Sequence, residues 1–218
     1  CRGLPVRGNC TMDNTAINTE APAANERVAE TVAESAPDSV RAAKKATPRL
    51  SRGQRLAKLT GTHALVFLIA LSAFAAADSW SMLSGLGIAG LLCVITGALA
   101  GVTTATLVHE WFHYLGARYS GGQFDIPARQ GLFLYNWDFG SNSLRQFLIM
   151  SVAGSIGGFV AVLLLWASVP ADTWGRAALR SGAVASVVYA ALIEWPVIRR
   201  TRRSGDPPRG RIFGCADF

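Results

Sequence analysis

Half of the 218 residues are hydrophobic, only 16% are charged, and the net charge is +7. Soluble domains carry about a quarter charged residues, so this composition argues against a water-soluble enzyme. The positive charge gathers beside apolar blocks, with no aromatic residues interleaved along a basic stripe. That pattern points to membrane orientation and away from nucleic-acid binding. The cysteines (Cys1, Cys10, Cys93, Cys215) have no C-x-x-C spacing, so neither a disulfide framework nor a structural zinc site is expected.

The chain opens on Cys1, and Met12 is read as the start of a cytosolic tail, with residues 1–11 as upstream sequence. Residues 12–38 hold six acids, one base and few large apolar residues, too little to form a core, and read as disordered. Residues 41–58 reverse the sign, with seven Lys/Arg and no acid. This is a juxtamembrane cluster that keeps the N-terminus cytosolic. It is too long and too far from the N-terminus for a cleaved secretory signal. The expected division is therefore a tail over 1–58, a membrane-embedded core over 59–200 and a basic cytosolic segment over 201–218.

The first apolar block, Gly61–Ala77, is at the short end for a spanning helix, with His63 at its cytosolic edge. Asp78-Ser79-Trp80-Ser81 reads as a polar break. The second block, Met82–Ala117, is 36 residues long, more than one span needs. Its glycine-rich start, residues 82–95, is left open between a loop, a re-entrant turn and an extended helix, with the span itself at about 91–118. Gly97 and Gly101 form a G-x-x-x-G pair that permits close helix approach. Residues 118–145 are polar and turn-rich, and the run Leu132–Trp137 suggests a small hairpin or membrane-edge loop. Phe147–Val169 is 23 uncharged residues with a second such pair, Gly154 and Gly158. Residues 170–180 form a loop. Ser181–Ile198 carries one charge, Glu194, and is followed by six Arg and a single Asp. The fold expected is an all-α polytopic membrane protein of four transmembrane helices, with a hairpin-like loop and a disordered N-terminal tail. Lys/Arg counts place both termini inside, in a bacterial inner membrane.

Chemistry concentrates in Leu107–Arg118, which contains His109-Glu110-Trp111-Phe112-His113. Residues four apart on a helix share a face. Two imidazoles so placed can bind one Zn2+, and the glutamate can act as general base on the attacking water. Between Leu59 and Ala117 the only acids are Asp78 and Glu110, and no Lys or Arg occurs. Three clustered ionisable residues in so apolar a segment are costly without a purpose. A catalytic zinc needs a third protein ligand. Glu194 competes on depth, because the second and fourth spans run in the same direction. Asp206, in Ser204-Gly205-Asp206-Pro207, is the other candidate. Asp125 and Asp138 are weaker ones.

On these residues, about 90–210, the chain resembles the site-2 protease family of intramembrane zinc metalloproteases. The H-E-W-F-H helix, the strand-like loop and the glycine-rich span carry the likeness. The resemblance implies two histidine ligands, the motif glutamate as base, and an aspartate ligand from a later span in an N-x-x-P…L-D-G context. Here A-L-I-E-W-P…S-G-D-P stands in that place. By family order the third ligand leans to Asp206, with Glu194 the alternative. No PDZ or CBS-like insertion is recognised, so by this resemblance the chain is expected to be a minimal core. The expected activity is hydrolysis of transmembrane protein substrates within the bilayer, the unwound substrate strand adding to the 121–137 hairpin edge. The competing readings are a membrane zincin acting at the cytosolic face, and an inactive relative that binds zinc or a partner helix.

Overall fold

The computed structural model describes residues 50–127 and 135–206. The reading of residues 1–49 as a disordered tail, and the runs 128–134 and 207–218, lie outside them.

Four helices account for most of the described chain: α1 Arg52–Ser84, α2 Gly87–Tyr119, α3 Leu144–Ser168 and α4 Trp174–Ser204. All four are long and apolar enough to cross a membrane. Between α2 and α3 lie two short strands, β1 Phe124–Asp125 and β2 Asn136–Trp137. They pair antiparallel, with Phe124 opposite Trp137 and Asp125 opposite Asn136. The fold is all-α and polytopic, with a minimal hairpin.

Local sequence sets the boundaries. Ser51 with Gln54, and Ser143 with Gln146, form reciprocal capping boxes at the starts of α1 and α3. Each satisfies two backbone donors that the first turn leaves unpaired. The Thr173 side chain caps α4 by accepting from the Arg176 N–H. Gly85 (φ 63°) and Gly205 (φ 76°) terminate α1 and α4 in the left-handed region, where glycine lacks the Cβ penalty.

Several expected boundaries move. α1 begins at Arg52, inside the stretch read as tail, and continues through the Asp78–Ser81 break. Asp78 is buried, and its carboxylate accepts from Arg176 at the start of α4 at 3.0 Å. The Thr173 hydroxyl and the Cys93 thiol also donate to it, at 3.4 and 3.5 Å. A helix can carry a buried carboxylate without breaking when partners across the bundle satisfy it. The connection falls at Gly85-Leu86 instead, so residues 82–95 are the end of α1 and the start of α2, with no re-entrant segment. Residues 174–180, read as loop, are the first turns of α4, and Arg199–Arg203 continue its far end.

α2 is the central helix, lying against each of the other three. Its glycines meet α4 backbone: a Cβ on Gly97 would collide with the Gly175 carbonyl, and one on Gly101 with that of Leu179. Gly182 of α4 returns the relation against Ala98. Small residues let the two helices approach to backbone contact, the main source of helix association where lipid removes the hydrophobic driving force. The outward faces carry exposed Leu65, Leu68, Leu91, Leu99, Phe159 and Leu164, as a lipid-facing surface requires.

Candidate metal centre

α2 and α4 run parallel, and both reach the same depth with their ionisable residues. His109 lies ten residues before the end of α2 at Tyr119, and Glu194 ten before the end of α4 at Ser204. At ~1.5 Å per residue each is about 15 Å along its helix from that end. The close glycine-mediated approach of the two helices then brings the side chains together. Glu194 Oε1 lies 2.8 Å from His109 Nε2 and 3.1 Å from His113 Nε2. The two Nε2 atoms are 3.0 Å apart. Both histidines are buried. His109, His113 and Glu194 form a group with the spacing to hold a metal ion.

α3 closes the other side. A Cβ on Gly154 would run into the His113 ring, and one on Gly158 would stand 3.4 Å from His109 Nδ1. The second G-x-x-x-G pair is therefore the cradle in which the two imidazoles lie. Gly157 gives the same room to Phe112.

A hydrogen bond from α3 fixes the tautomer. His113 Nδ1 lies 2.9 Å from the Met150 carbonyl oxygen. A carbonyl only accepts, so Nδ1 carries the proton and donates. The Nε2 of a neutral His113 then presents a lone pair toward Glu194 Oε1, itself only an acceptor when ionised. The two repel unless a cation, or a proton such as one on His109 Nε2, lies among the three atoms. The second carboxylate oxygen, Oε2, is buried without a hydrogen-bond partner among the described residues, an arrangement that calls for an explanation. A divalent ion answers both points. Two neutral imidazoles and one carboxylate are a donor set suited to zinc with one position left open. Bonds of ~2.0–2.2 Å space tetrahedral ligands by about 3.3–3.6 Å, a few tenths of an ångström wider than the three atoms stand. The residues present fit the ion.

Glu110 is half-buried beside His109, its carboxylate within electrostatic reach of His113, His109 and Glu194. No hydrogen bond or ion pair engages it among the described residues.

Asp206, toward which family order leaned, is not brought to the histidines. It is exposed just past the α4 cap, its N–H donating to the Ser204 hydroxyl at 3.3 Å. It stands twelve residues beyond Glu194, and α4 stays helical through Ser204. The unbroken helix prevents Asp206 from folding back. Asp125 is an exposed partner of Arg55 at 3.4 Å. Asp138 accepts from the Ser141 hydroxyl and from the Gly140 and Ser141 N–H groups. These bonds, the Ser141 hydroxyl foremost, hold its carboxyl below the usual range. His63 stacks edge-on against Trp111, with ring centres 6.1 Å apart, and takes no part in the cluster.

The hairpin seals the hydrophilic end. Arg55 of α1 donates to the Ile126 carbonyl at 2.6 Å, and Arg52 lies over the Phe124 ring at 4.8 Å. The Asn142 side chain ties Gln123 to Asp138. Phe124, Tyr135 and Trp137 pack down on Ala117, Phe147 and Met150. The sequence does not disclose the Met150 carbonyl as the group that orients His113, because a backbone acceptor carries no residue signature.

No protein-family model, curated protein or solved structure matches the chain.

Proposed function

We propose that the protein is an intramembrane zinc metalloprotease that hydrolyses peptide bonds of transmembrane substrates, with His109, His113 and Glu194 holding the metal and Glu110 as general base. The observation that carries this reading is the convergence of two imidazole nitrogens and a carboxylate oxygen, 2.8–3.1 Å apart, inside helices apolar enough to span a bilayer. The likeness of H-E-W-F-H and its setting to the site-2 protease family supports it, with a glutamate standing where that family has aspartate.

Zinc, when bound, supplies Lewis acidity that lowers the pKa of water and polarises a carbonyl. The chain supplies the rest. Glu110, one residue from a ligand and without a hydrogen-bond or ion-pair partner among the described residues, takes the proton from the attacking water as the new C–O bond forms. It returns that proton to the leaving amine as the C–N bond breaks. Met150 holds His113 in the tautomer that offers Nε2. A substrate helix must unwind before its carbonyl is accessible, and the edge of the β1–β2 hairpin receives the unwound strand by β-addition. Lys/Arg counts orient the protein with both termini in the cytosol of a bacterial inner membrane.

The test is zinc content and cleavage with the purified chain in detergent. Wild type and Asp206→Ala should hold about one zinc per chain, whereas His109→Ala and Glu194→Ala should lose it. Retention of zinc by Glu194→Ala and loss by Asp206→Ala would restore Asp206 as the ligand. A wild type without stoichiometric zinc ends the enzyme reading. Glu110→Gln should keep the metal yet cleave a tethered transmembrane substrate ~10²–10⁴-fold more slowly, the range general acid–base groups supply. Unchanged cleavage by that variant excludes Glu110 as base. A zinc-loaded wild type that cleaves nothing points to the inactive, zinc- or helix-binding relative. Faster cleavage of a soluble peptide than of the tethered helix points to a membrane zincin working at the cytosolic face.

A further inference from the structure

The spans around the metal centre lack the side chains that usually stabilise a developing oxyanion. Residues 87–117 of α2, 147–168 of α3 and 181–198 of α4 contain no Asn, Gln, Lys or Arg. Four of their nine Ser/Thr hydroxyls are hydrogen-bonded among the described residues. Thr96 and Thr104 donate to their own helix carbonyls, and Thr106 and Ser186 bond each other at 2.9 Å. A peptide carbonyl hydrolysed here gains negative charge, and preorganised donors aimed at that charge are a large contribution to catalysis.

Tyr135 is a phenol packed at the hairpin end of this site. It immediately precedes β2, and its ring packs against Phe124 at 5.3 Å, Tyr114 at 6.4 Å and Trp137 at 6.5 Å between centres. Tyr114 lies one turn beyond Glu110 on the same face of α2. The Tyr135 ring also joins Trp111, the residue after Glu110, against Leu59 and Ile126. It joins Val197, one turn beyond Glu194, against Ala117, Phe147 and Met150. These contacts place Tyr135 at the hairpin end of the site, about one turn, ~5.4 Å, beyond the two carboxylates. Its ring is held on several sides, yet no hydrogen bond engages its hydroxyl among the described residues. Tyr135 is half-buried, and a phenol with a packed ring normally has its hydroxyl hydrogen-bonded. Burial, with Glu110 and Glu194 adding to it, pushes the phenol up from its ordinary value, so it remains an O–H donor.

We propose that the Tyr135 hydroxyl donates a hydrogen bond to the scissile carbonyl oxygen as that oxygen becomes negative. The proposal rests on the protease reading of the site. Tyr135 keeps its proton throughout, and no bond to it forms or breaks.

Tyr135→Phe retains the ring and its packing and removes only the hydroxyl. The experiment compares it with wild type and Tyr114→Phe, using the purified full chain with zinc. Zinc content, thermal midpoint, kcat and KM are measured on a transmembrane substrate, together with binding of a peptide phosphonate, which mimics the tetrahedral anion, and of the matching uncleaved amide peptide. The expected result for Tyr135→Phe is unchanged zinc, midpoint and amide binding, KM within about twofold, and kcat lowered ~10²-fold, as for loss of one oxyanion donor. Phosphonate affinity should fall by a similar factor. Unchanged kcat and phosphonate affinity overturn the proposal. So does a loss explained by lower zinc content or midpoint, or one produced by Tyr114→Phe instead. A wild type that binds zinc and phosphonate but does not cleave fails the protease reading alone, and the phosphonate comparison still decides for Tyr135. A wild type that binds neither fails both.

Discussion

At the level of single residues, the candidate metal centre depends as much on absent side chains as on present ones. Gly154 leaves room for the His113 ring, and Gly158 for His109 and Val187. Gly154→Ala would force a methyl group into the imidazole, and overpacking of this kind costs about 1–3 kcal/mol. The ring cannot retreat without giving up the Met150 carbonyl that fixes its tautomer. We expect at least a tenfold loss of zinc affinity in chelator competition, with a lower thermal midpoint. Gly158→Ala, where the nearest atoms stand at 3.1 and 3.4 Å, should lose less. Gly61→Ala, with open space around it, should lose nothing. A Gly154→Ala protein that binds zinc like wild type would contradict the cradle. The histidines and Glu110 were legible because their spacing is a property of one helix. Glu194 and Asp206 could not be separated in that way. The choice depends on whether α4 continues past Ile198, and the run of arginines that follows reads equally well as helix or as tail.

Among the elements, α1 stands apart. It lies chiefly against α2, and few of its residues are buried. Polar clasps at its two ends compensate. One is Arg55 on the hairpin, with Arg52 over Phe124. The other is Asp78 with Arg176, which Asp172 also holds at 3.0 Å. Asp78 is the more buried partner, with 11% of its side chain exposed against 24% for Arg176. Removing the guanidinium therefore strands a buried carboxylate, which is costlier than losing an exposed ion pair. Arg176→Gln should lower the thermal midpoint in detergent by several degrees. Asp78→Asn added to it should recover part of the loss, because the amide needs no counter-charge. A double variant less stable than Arg176→Gln would show that Asp78 contributes something other than its pairing. The sequence presented Asp78–Ser81 as an interruption because the partner that cancels its charge lies 98 residues away. Distance in the chain hides a compensation that space makes plain. The same limit moved the α1–α2 connection to Gly85, where the glycine's positive φ marks the turn.

Over the whole molecule, charge and site geometry constrain each other. Among the described residues, the end bearing the hairpin collects nine Lys/Arg (Arg52, Arg55, Lys58, Arg118, Arg145, Arg199, Arg200, Arg202 and Arg203) against three Asp outside the spans. The opposite end has Arg176 and Arg180 with Asp78 and Asp172. By the positive-inside bias, a Lys/Arg excess of that size favours the orientation proposed above, with the hairpin end in the cytosol. Carrying one arginine to a helix centre already costs about 2.5–3.5 kcal/mol on insertion scales, so an inverted bundle would have to translocate many such charges. The ends of α2 and α4 must also lie on one side, because His109 and Glu194 meet at equal depth only if those helices are parallel. Reporter fusions after residue 49 and after residue 206, together with protease protection in spheroplasts and inverted vesicles, should place both positions in the cytosol. Both reporters on the outer side would invert the bundle and leave the cluster intact, but a reporter after residue 206 on the outer side with that after residue 49 in the cytosol would do more than revise the topology. It would set α4 antiparallel to α2, with Glu194 no longer at the level of His109, and the three-residue metal centre would go with it.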